Sequence, residues 1–193
     1  MDTLQKVRAI IHEAAATYND LLNDAELLDG IIRAADCLCN VFSNGGRVLF
    51  CGNGGSAADA QHLAAELTGK FLYDRKPLDA EVLHGNTSYI TAYSNDHGYA
   101  GIFARLIEAK GRKGDVLFAI STSGNSENII LALIKAKELG LSTIALTGKD
   151  GGRARNAADI VLLAPAITTP RIQECHILIG HSICQLVEER MRH

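Results

Sequence analysis

Apolar residues recur at helical spacing over the first 45 positions. Leu4, Val7, Ile10, Ile11 and Ala14 mark one helix. Beyond Asn23-Asp24, a second is marked by Leu27, Leu28, Ile31, Ile32, Ala35 and Val41, and Asn44-Gly45-Gly46 stops it. The period then changes. Arg47-Val-Leu-Phe-Cys51 is a short, largely apolar run, the pattern of a buried parallel strand. It enters Gly52-Asn-Gly-Gly-Ser56, and a helix is expected from about Ala57 to Leu67. The unit repeats: Asp115–Ile120 reads as a strand, Ser121-Thr-Ser-Gly-Asn-Ser126 as a loop, and Glu127–Leu139 as a helix closed by Gly140. Leu141–Thr147 and Asp159–Leu163 read as further strands, and Arg171–Met191 as a long last helix. In between, Ala80–Leu83 reads as a strand, Thr87–Tyr93 as a helical turn and Tyr99–Lys110 as a helix.

Strands that alternate with helices imply a mostly parallel sheet covered on both faces. The expected fold is α/β: a single three-layer α/β/α domain over residues 1–193, with a five-stranded, flavodoxin-like sheet in a core of residues 46–193. A helical pair, residues 1–45, precedes the core. Ligands in such folds sit beyond the carboxyl ends of the strands, where both polar loops fall.

Composition narrows the class. The 193 residues are 47% hydrophobic and 21% charged, which excludes a disordered chain, a coiled coil and a fibre. The formal charge of −3 argues against nucleic acid as a partner. No run of apolar residues is long enough to cross a membrane, and Met1–Asn19 has no signal-peptide pattern, so a cytoplasmic protein is expected. Cys37, Cys39, Cys51, Cys175 and Cys184 are odd in number and wrongly spaced for a zinc cluster, so they read as reduced, buried thiols.

The two loops carry the chemistry. In Gly52–Ser56 the glycines let backbone approach a ligand, and the helix that follows offers unpaired N–H groups to an anion. Taken alone, this loop fits a tight turn equally well. Ser121, Thr122, Ser123 and Ser126 place four hydroxyls at a second helix start. A helix cap uses one hydroxyl and leaves three, so a phosphate cup is the better reading. Neither loop has the Walker pattern, and no acidic residue clearly ends the second strand as dinucleotide binding requires.

His62 and Glu66 lie four residues apart, on one face of the helix after the first loop. Such a pair can share a divalent cation, act as acid and base, or be an ordinary surface pair. On the last helix Gln173, Glu174, His176 and His181 interrupt an apolar stretch. Gln173 and His181 are about 12 Å apart along a helix, a stretched span for one metal.

Together these residues resemble the sugar isomerase (SIS) family and, within it, the phosphoheptose isomerases. The resemblance rests on Cys51–His62, Ala65–Gly69, Ser94–Asp96, Gly114–Leu117, Ile120–Ser126, Leu146–Gly152, Arg171–His176 and His181. It implies one zinc per subunit on His62, Glu66, Gln173 and His181, and a catalytic acid/base pair of Glu66 and His181. It implies sugar-phosphate contacts at Asn53, Gly54, Gly55, Glu66, Asn95, Asp96, Ser121, Thr122, Ser123, Ser126 and Gln173. The implied reaction is aldose–ketose isomerisation of D-sedoheptulose 7-phosphate to D-glycero-D-manno-heptose 7-phosphate, which feeds lipopolysaccharide or another surface glycan. Relatives that bind the bacterial replication initiator share the fold but lose the acid/base residues, both of which are present here. An isomerase of another sugar phosphate is the other alternative. Lys70 and Pro170 stand where some relatives have Arg and Asp. The resemblance also implies a homotetramer. The apolar residues of the two leading helices, including Leu4, Val7, Ile11, Leu27, Ile31 and Val41, would then cover another chain, with the active sites at subunit boundaries.

Overall fold

The computed structural model describes residues 2–192. Helix α1 (Thr3–Asn23) opens with a capping box, in which the Asp2 carboxylate accepts from Gln5 N at 2.7 Å and Gln5 Oε1 accepts from Asp2 N at 3.2 Å. Asp24 caps α2 (Ala25–Ser43) through Leu27 N at 2.9 Å. There follow β1 (Val48–Gly52), α3 (Gly55–Thr68), β2 (Ala80–Val82), α4 (Thr87–His97), α5 (Ile102–Lys110), β3 (Val116–Ser121), α6 (Glu127–Glu138), β4 (Ser142–Gly148), α7 (Ala154–Ala157), β5 (Ile160–Ala164) and α8 (Thr169–Met191).

The five strands pair in the order β2-β1-β3-β4-β5, and every pair is parallel. Alternate residues of each strand feed opposite faces, as a pleated strand requires. Val48, Phe50, Val116, Phe118, Ile144 and Leu146 join α2, α3 and α8 in one apolar core. Leu49, Cys51, Leu117, Ala119 and Ala145 join α5 and α6 in the other. The strand order reverses between β1 and β3, so a crevice opens at their carboxyl ends. The loops 52–56 and 121–126 leave the sheet there.

Three expectations change. The helical turn at Thr87–Tyr93 is a full helix reaching His97: Asn86 caps it through Tyr89 N at 3.0 Å, and Gly98, at φ +82°, ends it. Tyr99–Lys110 is not one helix, since Tyr99–Gly101 forms a 3₁₀ turn before α5. The leading helices are not a spare pair. Leu27, Ile31 and Val41 of α2 are buried in the core. On α1, Leu4, Val7, Ile10 and Ile11 remain 59%, 46%, 54% and 63% exposed.

All five cysteines are free thiols; Cys51, Cys175 and Cys184 are buried, Cys37 and Cys39 half-buried. Burial pushes the Cys175 thiol up to about 11 and the Cys184 thiol to about 12, which leaves them protonated and inert at neutral pH. Among the described residues no helix is long and apolar enough to cross a membrane.

Candidate active site

Helices α3 and α8 run side by side in the same direction, and their contacts set the register of the site. At the start of α3 the Gln173 amide lies over Gly55, so close that a side chain at residue 55 would collide with it. Two turns on, Gly180 faces Leu63, and a Cβ there would fall 2.6 Å from both Leu63 methyl carbons. The missing side chain at 180 lets the helices approach, and the next residue, His181, then meets His62. The two Nε2 atoms are 2.8 Å apart. His62 Nε2 also lies 3.4 Å from Glu66 Oε1. His62 therefore stands between Glu66 and His181, which make no ion pair with each other among the described residues.

The surroundings tune the cluster. The Phe71 ring packs on the His181 imidazole with centroids 5.3 Å apart. Burial and the neighbouring His62 lower the His181 pKa, and Glu66 partly offsets them. Both effects favour a neutral imidazole at neutral pH.

The zinc implied by the resemblance needs nitrogen and oxygen donors facing one point. Two imidazole nitrogens and a carboxylate oxygen gathered around His62 are donors that zinc accepts. Two imidazole nitrogens 2.8 Å apart must otherwise share a single proton. The donor types fit. Among the described residues, however, no group of three His, Cys, Asp or Glu side chains is placed so that it could hold a metal ion. Gln173 sits at Gly55, two helical turns from the histidines, and makes no side-chain hydrogen bond among the described residues.

The serine loop is shaped by its own backbone and by a neighbour. Ser121 Oγ lies 3.3 Å from Ser126 Oγ, and Ser123 Oγ accepts from Asn125 N at 3.2 Å. Ser126 occupies the N-cap position of α6 yet makes no side-chain cap bond, so its hydroxyl is not spent on the helix. Gly124, at φ +63°, sits so tightly on the Gly151 carbonyl that any side chain would collide with it. Ala154 N donates to the Gly124 carbonyl at 2.9 Å and Arg153 N to Asn125 Oδ1 at 3.0 Å. Residues 151–154 thus buttress the serine loop.

Asn53 ties the two loops together. Its Nδ2 donates to Asn128 Oδ1 and its Oδ1 accepts from Asn128 Nδ2, both at 2.9 Å. Tyr99 Oη donates to the same Asn53 Oδ1 at 3.0 Å. Gly54, at φ +55°, has open space above it and exposes the first turn of α3. Asn95 and Asp96 are exposed at the end of α4, bonded to each other at 3.0 Å, just before Tyr99. Sequence reasoning did not find Asn128 or Tyr99. Asn128 lies two residues past Ser126, in the first turn of α6, and reads as an ordinary helix residue until the fold brings it to Asn53.

The description of the matching family model is the SIS domain, and it covers residues 9–148. The phosphoheptose isomerase of Clostridium acetobutylicum is 48% identical over 96% of this chain and 94% of its own length. The chain belongs to the SIS domain family and, within it, to the phosphoheptose isomerases. The Mycobacterium tuberculosis phosphoheptose isomerase is 47% identical over 99% of this chain and 97% of its own. Among solved structures, the phosphoheptose isomerase GmhA of Neisseria gonorrhoeae superposes with a TM-score of 0.92 at 40% identity, covering 97% of this chain and all of that one. The one from Francisella tularensis gives 0.93 at 38% identity, over 98% of this chain and all of its own. In this SIS domain the loops 52–56 and 121–126 and the His62 cluster therefore occupy a scaffold shared with isomerases along almost its whole length.

Proposed function

We propose that this chain is an aldose–ketose isomerase that interconverts D-sedoheptulose 7-phosphate and D-glycero-D-manno-heptose 7-phosphate. One observation carries the reading: Glu66 and His181 converge on His62, on the helix that starts at the open Gly54 loop beside the serine cup. His62 lies seven residues past Gly55, about 10 Å along α3.

The phosphate goes to Ser121, Thr122, Ser123 and Ser126, under the N-terminus of α6. That helix end contributes its partial positive charge and unpaired N–H groups. At the other end, one member of the Glu66/His181 pair takes the proton from C1 of the ketose and returns it to C2 through an enediol. The second exchanges protons with the oxygens on C1 and C2. His62, Glu66 and His181, together with Gln173, are the residues that would hold zinc. A zinc ion there supplies Lewis-acid polarisation of the sugar oxygens. The experiment is an assay of purified protein against ketose phosphates of five to seven carbons, on the parent and on Ser121→Ala/Ser123→Ala. We expect turnover with the seven-carbon substrate and at least a tenfold rise in KM in the double variant. Preference for a shorter sugar would replace the substrate, and an unchanged KM would move the cup to Gly52–Ser56.

The assembly belongs to the same proposal. The apolar α1 stripe and α4, which has no buried residue, are faces a second chain can cover. A cytoplasmic homotetramer whose product feeds lipopolysaccharide or another surface glycan is the reading we favour. Sedimentation at micromolar concentration is expected to show a tetramer; an active monomer would reject it.

A further inference from the structure

The loop between α3 and β2 has no regular secondary structure from Gly69 to Asp79, yet one buried carboxylate grips it. Glu188 lies on α8, seven residues past His181 and on the same helical face. It is fully buried. Its Oε1 accepts from Phe71 N at 2.8 Å, and its Oε2 accepts from Leu72 N at 2.6 Å and Tyr73 N at 3.1 Å. Arg75, whose side chain is 1% exposed, approaches Oε1 with Nε at 3.4 Å, as an ion pair and not an aligned hydrogen bond. The same guanidinium donates from Nη2 to the Glu66 carbonyl at 2.8 Å and from Nη1 to the Lys76 carbonyl at 3.0 Å. The loop thus ends on both members of the proton-transfer pair: the Phe71 ring covers His181, and Arg75 caps the last turn of α3 at Glu66.

We propose that Glu188 and Arg75 are positioning residues that hold the 69–76 loop so that Phe71 and the Glu66 backbone fix the relative placement of Glu66 and His181. Burial alone would raise the Glu188 pKa, but three backbone N–H groups and Arg75 hold the carboxyl below its ordinary value. Apolar packing alone would not need a charged pair here. An isolated buried charge is costly, and the pair persists because each partner also satisfies backbone groups of an otherwise unpaired loop.

The inference rests on the assignment of Glu66 and His181, so its test reads the loop separately from the chemistry. In Glu188→Gln the three amides lose a charged acceptor. Amide hydrogen exchange at Phe71, Leu72 and Tyr73 should speed up at least tenfold while the core strands keep their protection. At saturating sedoheptulose 7-phosphate kcat should fall at least tenfold with KM within about threefold, because the serine cup is on other elements. Phe71→Leu, a milder change at a half-buried position, should lower kcat severalfold while the neighbouring Leu72 and Tyr73 amides stay protected. Glu188→Gln/Phe71→Leu should be no slower than Glu188→Gln, since both act through one contact. Unchanged loop exchange in folded Glu188→Gln overturns the proposal, and so does faster exchange with parental kcat. If Glu188→Gln does not fold, parental kcat in Phe71→Leu overturns it. Failure of the underlying reading looks different: Glu66→Gln and His181→Ala would then keep parental turnover whatever the loop does.

Discussion

Glu66→Gln and His181→Ala are each expected to lower kcat by about 10²–10⁴, the contribution of a positioned acid or base, while the fold survives. The structural grounds are local. Among the described residues the Glu66 carboxylate has one polar partner, His62, and the amide of Gln is close to it in size and shape. His181 sits at the edge of the cluster, half-buried and outside both apolar cores, and its loss removes one hydrogen bond and two ring contacts, to His62 and Phe71. Circular dichroism and urea unfolding check the fold, and steady-state kinetics on sedoheptulose 7-phosphate check the rate. Because both residues are implied zinc ligands, zinc content is measured alongside. A variant that keeps its metal and loses turnover isolates the proton-transfer role. Near-parental rates in both variants would refute the assignment.

The second large effect concerns stability. His176 is completely buried on α8, and neither ring nitrogen has a hydrogen-bond partner among the described residues. Burial pushes its pKa down to about 4, with the Thr147 backbone working weakly the other way. The unfolded chain titrates this histidine near 6.5. Between those values the unfolded state holds a proton that the folded state refuses, so acid favours unfolding. The contribution is complete above pH 6.5, shrinks as pH falls, and is gone below about 4, a total of about 3 kcal/mol at 1.36 kcal/mol per unit. Urea unfolding of the parent should lose stability over this window, and His176→Leu should lose about that much less. At pH 7 the leucine variant is expected to be at least as stable as the parent, because it removes two unpaired buried nitrogens. Equal pH slopes in parent and variant would show that His176 is not the group responsible.

The periodicity of the chain determined the layers. Runs such as Val48–Cys51 and Val116–Ile120 are apolar on both faces, so they belong inside a sheet covered on each side, and the intervening 3.6-residue patterns supply the covers. The positions of both strand-to-helix loops were legible for the same reason, since glycines and hydroxyls at such a junction are a local signal. His62 and Glu66 were legible as one helical face. The meeting of His62 with His181 was not, because it spans 119 residues and depends on Gly180 admitting Leu63. Nor was the tie between Asn53 and Asn128, or the grip of Glu188 on Phe71, Leu72 and Tyr73. Seen in sequence, Glu188 is one of two glutamates near the end of an amphipathic helix, and only packing makes it the buried one. Sequence alone also left α2 free for a partner, whereas the structure seats Leu27, Ile31 and Val41 in the core and leaves the exposed stripe to α1. Spacing along the chain says which side chains share a face of one element; which faces meet is decided by how closely two elements can approach, and that is a property of the assembled core.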